Sequence, residues 1–207
     1  GLQAGEAAVW VGDGDPAGTA ADVWTHEYVH TRQAYRAEPS ARWFTEASAT
    51  YYAALFALDR GAIGFDRFEQ TLSRGEREPD ASAVLADPGT WRPETPYTKG
   101  SLVAGEIDRR IRLAADGRAS LATVFRDLND ASEPITNRAV LDAIEAAAAE
   151  GGDDEAAAAV RDAAERLTTT SDVPETWDRD AHTAAFDGTP AEVGSGLAPH
   201  GLHGTGE

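Results

Sequence analysis

His26 and His30 stand four positions apart with Glu27 between them, in the run Trp24-Thr25-His26-Glu27-Tyr28-Val29-His30. Residues four apart on a helix lie one above the other on the same face, so both imidazoles can be directed at one metal ion, with the Glu27 carboxylate beside it. Neutral imidazole is an ordinary zinc ligand, and a carboxylate next to the ion can take a proton from a metal-activated water. This H-E-x-x-H spacing is a metallopeptidase signature. A chain of this composition produces it by accident in roughly one case in a hundred, so further residues must carry the argument.

Sixteen positions after His30, Glu46 interrupts an apolar run, Arg42-Trp43-Phe44-Thr45-Glu46-Ala47-Ser48-Ala49-Thr50-Tyr51. A catalytic zinc keeps three protein ligands and one open position, and Glu46 is the natural third ligand, for one Zn2+ per chain. A carboxylate in the opening turn of a helix is also favoured by the helix dipole alone. The flanking Trp43, Phe44, Ala47 and Ala49 speak for burial, however, and a buried carboxylate needs a partner. Thr50, one turn further on the same side, can hydrogen-bond a ligand or simply pack. In Thr95-Pro96-Tyr97-Thr98-Lys99-Gly100, the Tyr97 phenol can stabilise negative charge that develops on a carbonyl oxygen; an ordinary helix-start tyrosine fits the residues equally well. The substrate of such a set is a peptide or protein.

These groups need helices to hold them. Thr19 to Arg36 reads as one helix, and a second runs from Ser40 or Arg42 to Arg60, ended by Gly61, after a tight connector containing Pro39. Before them, Glu6 to Val11 suits an edge strand. After Gly64 comes a short amphipathic helix, FDRFEQTLSRG, then a loop from Asp87 to Pro96. A long helix follows from Pro96 or Tyr97, with Leu102, Ile107, Ile111 and Leu113 facing a core. SLATVFRDLND, TNRAVLDAIEAAAA and DEAAAAVRDAAERL supply three more helical segments. The expected fold is mainly α, with a short N-terminal edge strand and a C-terminal helical bundle. Residues 1–115 would form the catalytic core and 116–170 the bundle completing it. Residues 171–207, including His182, His200 and His203, read as an extended or partly disordered acidic tail with solvated histidines.

Composition excludes several classes. The 207 residues contain no cysteine, so cysteine zinc sites, thiol nucleophiles and disulfides are out, and any metal must sit on histidines and carboxylates. Acidic residues number 36 against 18 basic ones, for a net charge of −18, which repels phosphate backbones and anionic lipids. Neither nucleic acid nor a membrane surface is an expected partner. Lys99 is the only lysine, and the other bases are arginines; this lysine-poor, acidic surface resembles that of proteins from salt-loving archaea. The chain opens on Gly1 and contains no Met, which reads as a processed or excised piece. Extracellular, cell-surface and cytoplasmic locations all fit, and oligomeric state is left open. No phosphate-binding glycine loop and no G-x-S-x-G occurs.

The ordered set HEYVH, WFTEASATYY and PYTKGSLVAGEID resembles the gluzincin metallopeptidases, in particular the glycyl aminopeptidase family and its larger relatives such as aminopeptidase N. Those families follow H-E-x-x-H with W-x-x-E-G/A and then Y-x-K-G. The resemblance covers about Gly1 to Arg112. It implies a thermolysin-like zincin fold, a single zinc, Glu27 as general base, Tyr97 as transition-state stabiliser and aminopeptidase activity. The interval between His30 and Glu46 is a few residues shorter than in the aminopeptidase N relatives, so the connector must be tighter. The G-x-M-E-N strand that binds a substrate's amino end has its nearest match in Gly5-Glu6-Ala7; Glu6 is either that amine anchor or a solvent-facing strand carboxylate. A catalytically silent gluzincin-like binding module is the alternative function.

Overall fold

The histidine-bearing helix, α1, is described over Val23–His30 and stops at its second histidine. The computed structural model describes residues 2–3, 9–10 and 23–187, so the expected start of this helix at Thr19 lies outside the described residues. Its expected continuation to Arg36 is not observed. Thr31 N–H is shared between the Glu27 and Tyr28 carbonyls, Arg32 and Gln33 N–H bond back only three residues, to Val29 and His30, and the Thr31 hydroxyl donates to the Tyr28 carbonyl at 2.7 Å. Such tight last turns absorb the orphan carbonyls and end a helix.

Residues 34–38 then form an irregular connector that distant parts of the chain hold. Ala37 pairs in parallel with Ile135; Ile135 N–H donates to the Arg36 carbonyl and Glu38 N–H to the Ile135 carbonyl. The Asn129 carboxamide accepts from Ala34 N–H at 2.8 Å and donates to the Arg32 carbonyl at 2.9 Å. The short connector between the helices that carry His26, His30 and Glu46 is thus tied down by residues about a hundred positions later.

A 3-10 turn, Pro39–Ala41, leads into α2 (Arg42–Asp59). Trp43, Phe44, Tyr51 and Tyr52 on α2 are fully buried. Gly61, with φ of +69°, takes the left-handed conformation that closes the helix, as its position predicts. The amphipathic α3 (Phe65–Leu72) follows, then a loop, then α4 (Lys99–Ala114), which packs along α2. Leu102, Ile107 and Ile111 point into the core as expected, but Leu113 is exposed. Two positions beyond Ile111 is about 200° around a helix, so both cannot share a buried face.

Helices α5 (Leu121–Asn129), α6 (Asn137–Ala149) and α7 (Asp154–Thr169) complete the bundle, each opened by a capping side chain: Ser120, Thr136 and Asp153. Two buried polar links join the layers. Asp108 accepts from Tyr51 O–H at 2.8 Å, Arg112 Nε at 3.1 Å and Leu121 N–H at 2.7 Å, which connects α2, α4 and α5. Trp43 Nε1 donates to Asn137 Oδ1, and Asn137 Nδ2 donates to Thr168 Oγ1, connecting α2, α6 and α7. Removing one partner from a buried charged set of the first kind costs about 3–5 kcal/mol.

The mainly helical expectation holds. At the N-terminal end, β1 (Leu2–Gln3) pairs antiparallel with β2 (Val9–Trp10), in the register Leu2 to Trp10 and Gln3 to Val9; of the strand expected over Glu6 to Val11 only Val9 and Trp10 are described, and Glu6 lies outside the described residues. The extended tail expected from residue 171 is corrected as far as Asp187. Trp177 is buried, and α8 (Arg179–Phe186) packs on α4. His182 is half-buried rather than fully solvated: its ring stacks on Phe186 at 4.2 Å and lies near Phe65 and Phe68. An apolar run too short to show helical periodicity conceals such docking from sequence. His200 and His203 lie outside the described residues. Among the described residues, no helix is long and apolar enough to cross a membrane.

Candidate metal centre

Because α1 packs on α2, His26, His30 and Glu46 meet across the two helices. The Nε2 atoms of the two histidines are 3.0 Å apart, and Glu46 Oε2 lies 3.3 Å from that of His26 and 3.5 Å from that of His30. Zinc holds its ligands at about 2.0–2.1 Å, so neighbouring donors in a tetrahedral set are about 3.3 Å apart. The triangle of donors therefore has the size of one face of such a tetrahedron, and these three residues fit a metal ion.

The tautomer of His30 follows from its surroundings. Gln33 Nε2 donates to the Thr45 carbonyl at 2.9 Å, and a carbonyl can only accept, so the orientation of the carboxamide is fixed. Gln33 Oε1 then faces His30 Nδ1 at 2.8 Å and must accept a proton from it. In the neutral ring this leaves the Nε2 lone pair aimed at His26 and Glu46, the state a metal ligand requires. Gln33 is the residue that sequence reasoning missed. Its only signal is a hydrogen-bonding amide three positions after the second histidine, which carries weight only once the helix is known to end there.

Thr50 reaches the other histidine, with Oγ1 3.4 Å from His26 Nδ1, a long contact on the side expected. Helix α2 begins at Arg42, so Glu46 lies just past the first turn rather than in it, and a helix dipole alone does not account for it. Trp43, Phe44, Ala47 and Ala49 around it are fully buried, as their composition suggests, while Glu46 keeps a partly open face. Burial alone would raise the Glu46 pKa, but hydrogen bonds from His26 and His30 outweigh it and hold the carboxyl well below the usual range. Burial opposes protonation of His30, and its bonds to Glu46 and Gln33 overcome that, leaving its pKa raised.

Glu27 is buried, and its charge is felt by both His30 and Tyr97. Tyr97, 40 % exposed, stands across the site from α1, with its ring centroid 6.0 Å from that of His26. Partial burial, the charge of Glu46 and a hydrogen bond to Glu46 push its phenol up to about 12, so it remains a proton donor at neutral pH.

Tyr97 precedes α4 in a turn that Asp80 holds from both sides. Thr95 Oγ1 donates to Asp80 Oδ1 at 2.7 Å and Thr98 Oγ1 to Asp80 Oδ2 at 3.1 Å. Lys99 is fully buried and does not join the His26, His30 and Glu46 group. Its ammonium donates to the Ala81 and Ala83 carbonyls at 3.0 and 2.6 Å, and burial pushes its pKa down to about 8. Lys99 and Asp80 together fasten one loop under the Tyr97 turn. No family model, curated protein or solved structure matches this chain.

Proposed function

We propose that this chain is a zinc-dependent peptidase of the thermolysin-like, gluzincin type, acting on peptide bonds and most readily at a substrate's amino end. The observation that carries the reading is the donor triangle of His26, His30 and Glu46, with His30 held by Gln33 in the ligating tautomer. His26, His30 and Glu46 would hold the ion. When bound, zinc supplies Lewis acidity, which lets water ionise near neutral pH and polarises a carbonyl.

The remaining roles fall to the chain's own groups. Glu27, buried beside His30, takes the proton of the attacking water and returns it to the departing amine. Tyr97 presents its hydroxyl to the carbonyl oxygen as charge gathers there; one such donor contributes about 3–4 kcal/mol in related chemistry. The mouth of the site is left open by Tyr97 and Glu46, both partly exposed.

Elemental analysis of tag-free protein in high salt tests the foundation, with His26→Ala alongside. The expected result is about one zinc per chain, lost in the variant. Glu27→Gln should keep the zinc and abolish turnover of a peptide panel. Stoichiometric zinc without hydrolysis of any peptide would replace the enzyme by a binding module, and absence of zinc even after reconstitution would remove the metal centre. Peptides with blocked amino ends distinguish trimming from internal cleavage.

A further inference from the structure

We propose that a pocket adjoining Glu46 is a substrate subsite that selects a carboxylate, with Arg42 as the residue that reads it; this rests on the peptidase reading above. The pocket, about 340 Å³ in volume, is lined by Ala37, Arg42, Thr45, Glu46 and Trp91. Glu46 belongs both to this lining and to the donor triangle, so the pocket opens directly beside the reacting position. A peptide whose scissile bond lies over the metal ligands has a neighbouring residue within reach of it.

The lining supplies two kinds of surface. The Trp91 indole N–H is engaged by the Val84 carbonyl at 3.0 Å, so Trp91 offers the pocket an apolar ring, with Ala37 as a further apolar wall. These suit the methylene stem of a side chain. Arg42 opens α2 one turn before Glu46, which puts both on one face of the helix. Its side chain is exposed, and among the described residues its guanidinium has no hydrogen-bond or ion-pair partner. Glu46, the carboxylate nearest along the helix, is turned to the histidines instead. Arg42 therefore presents a planar cation at the rim of a pocket with an apolar wall, the combination that recognises an acidic side chain or a terminal carboxylate.

The test uses zinc-loaded full-length protein and peptide hydroxamates as metal-seeking probes. They carry Glu, Ala or Lys beside the hydroxamate, each with a free or an amidated carboxyl end, and binding is read by calorimetry at the lowest salt that keeps the protein folded. The expected result is about tenfold tighter binding of carboxylate-bearing probes than of their neutral counterparts. That ratio should fall to about one in Arg42→Gln and turn toward Lys in Arg42→Glu. A preference that follows Glu assigns the subsite to acidic side chains; one that follows the free end, whatever the side chain, assigns it to the terminal carboxylate. Probes that bind without a carboxylate preference, or a preference that survives in Arg42→Gln, overturn the subsite alone. If no hydroxamate binds protein carrying stoichiometric zinc, the peptidase reading falls and the subsite falls with it.

Discussion

Gly100 approaches Ala47 so closely that a Cβ placed on it would lie 2.9 Å from the Ala47 methyl carbon. Gly100 is in the first turn of the helix that follows Tyr97, and Ala47 is the residue after Glu46, so this contact sets the distance between the phenol and the helix that carries Glu46. Gly100→Ala must force α4 away from α2. We expect a loss of about 1–3 kcal/mol in urea unfolding, the usual cost of overpacking a tight contact. Zinc stoichiometry should be retained and peptidase turnover reduced. Unchanged stability would show that the two helices are not in fixed contact.

Gln33→Leu removes the acceptor that holds His30 Nδ1–H while keeping the side chain's bulk. Loss of such a partner typically weakens metal binding 10- to 100-fold. Competition with a chromophoric zinc chelator should show a weakening of that size with helical content unchanged by circular dichroism. An affinity equal to the wild type would mean that His30 does not depend on Gln33 for its orientation.

Asp80→Ala releases the Thr95 hydroxyl and removes one of the two acceptors of the Thr98 hydroxyl, the other being the Glu94 carbonyl at 2.9 Å, on the two sides of Tyr97. The zinc content should stay at the wild-type level and kcat should fall, because Tyr97 loses its fixed position without losing its hydroxyl. A double variant with Tyr97→Phe distinguishes positioning from general damage: if Asp80 acts through Tyr97, adding Asp80→Ala to Tyr97→Phe lowers kcat little further. Independent, multiplying losses would refute the link.

Lys99→Met keeps the aliphatic stem but strips the Ala81 and Ala83 carbonyls of their charged donor. The expected cost is about 2 kcal/mol, within the range for hydrogen bonds to a charged group. A lowered thermal midpoint, with zinc binding intact, fits a structural role for this lysine. Loss of zinc from a folded variant would bring Lys99 into the metal site instead.

His182 gives the fold a dependence on acid. Burial among Phe65, Phe68 and Phe186 is the main cause of its pKa falling to about 4 from the ordinary 6.5, and Trp177 Nε1 donates to its Nδ1 at 3.3 Å, which requires the nitrogen to be bare. Between pH 6.5 and 4 the unfolded chain binds more protons than the folded one, so stability must fall as pH falls through that window. The contribution is on the order of 1–2 kcal/mol, reduced from the full shift because the ring is partly solvated. Urea midpoints of wild type and His182→Phe between pH 7 and 4 should diverge by that amount. Parallel curves would show that His182 is protonated as readily in the fold as outside it.

Local chemistry made much of this molecule legible in its sequence. The four-residue interval of His26 and His30 determines that they share a helix face, because helical geometry allows nothing else. The apolar spacing of Trp43, Ala47 and Ala54 and of Leu102, Ile107 and Ile111 marks the buried faces, and Gly61 marks a helix end, since each depends on residues close in the chain. Leu113 failed the same reasoning because apolar character does not by itself choose a face. What only the tertiary structure decided depends on partners far away in sequence. Asn129 and Ile135 hold the connector after His30 and thereby stop α1 short of Arg36. The end of α1 frees Gln33 to bridge His30 and Thr45, and Asp80 and Lys99 secure the turn of Tyr97. The docking of Trp177 and α8 has the same character. In each case the sequence supplies a polar group or a short apolar patch without periodicity, and its partner becomes identifiable only when packing brings residues separated by tens of positions into contact.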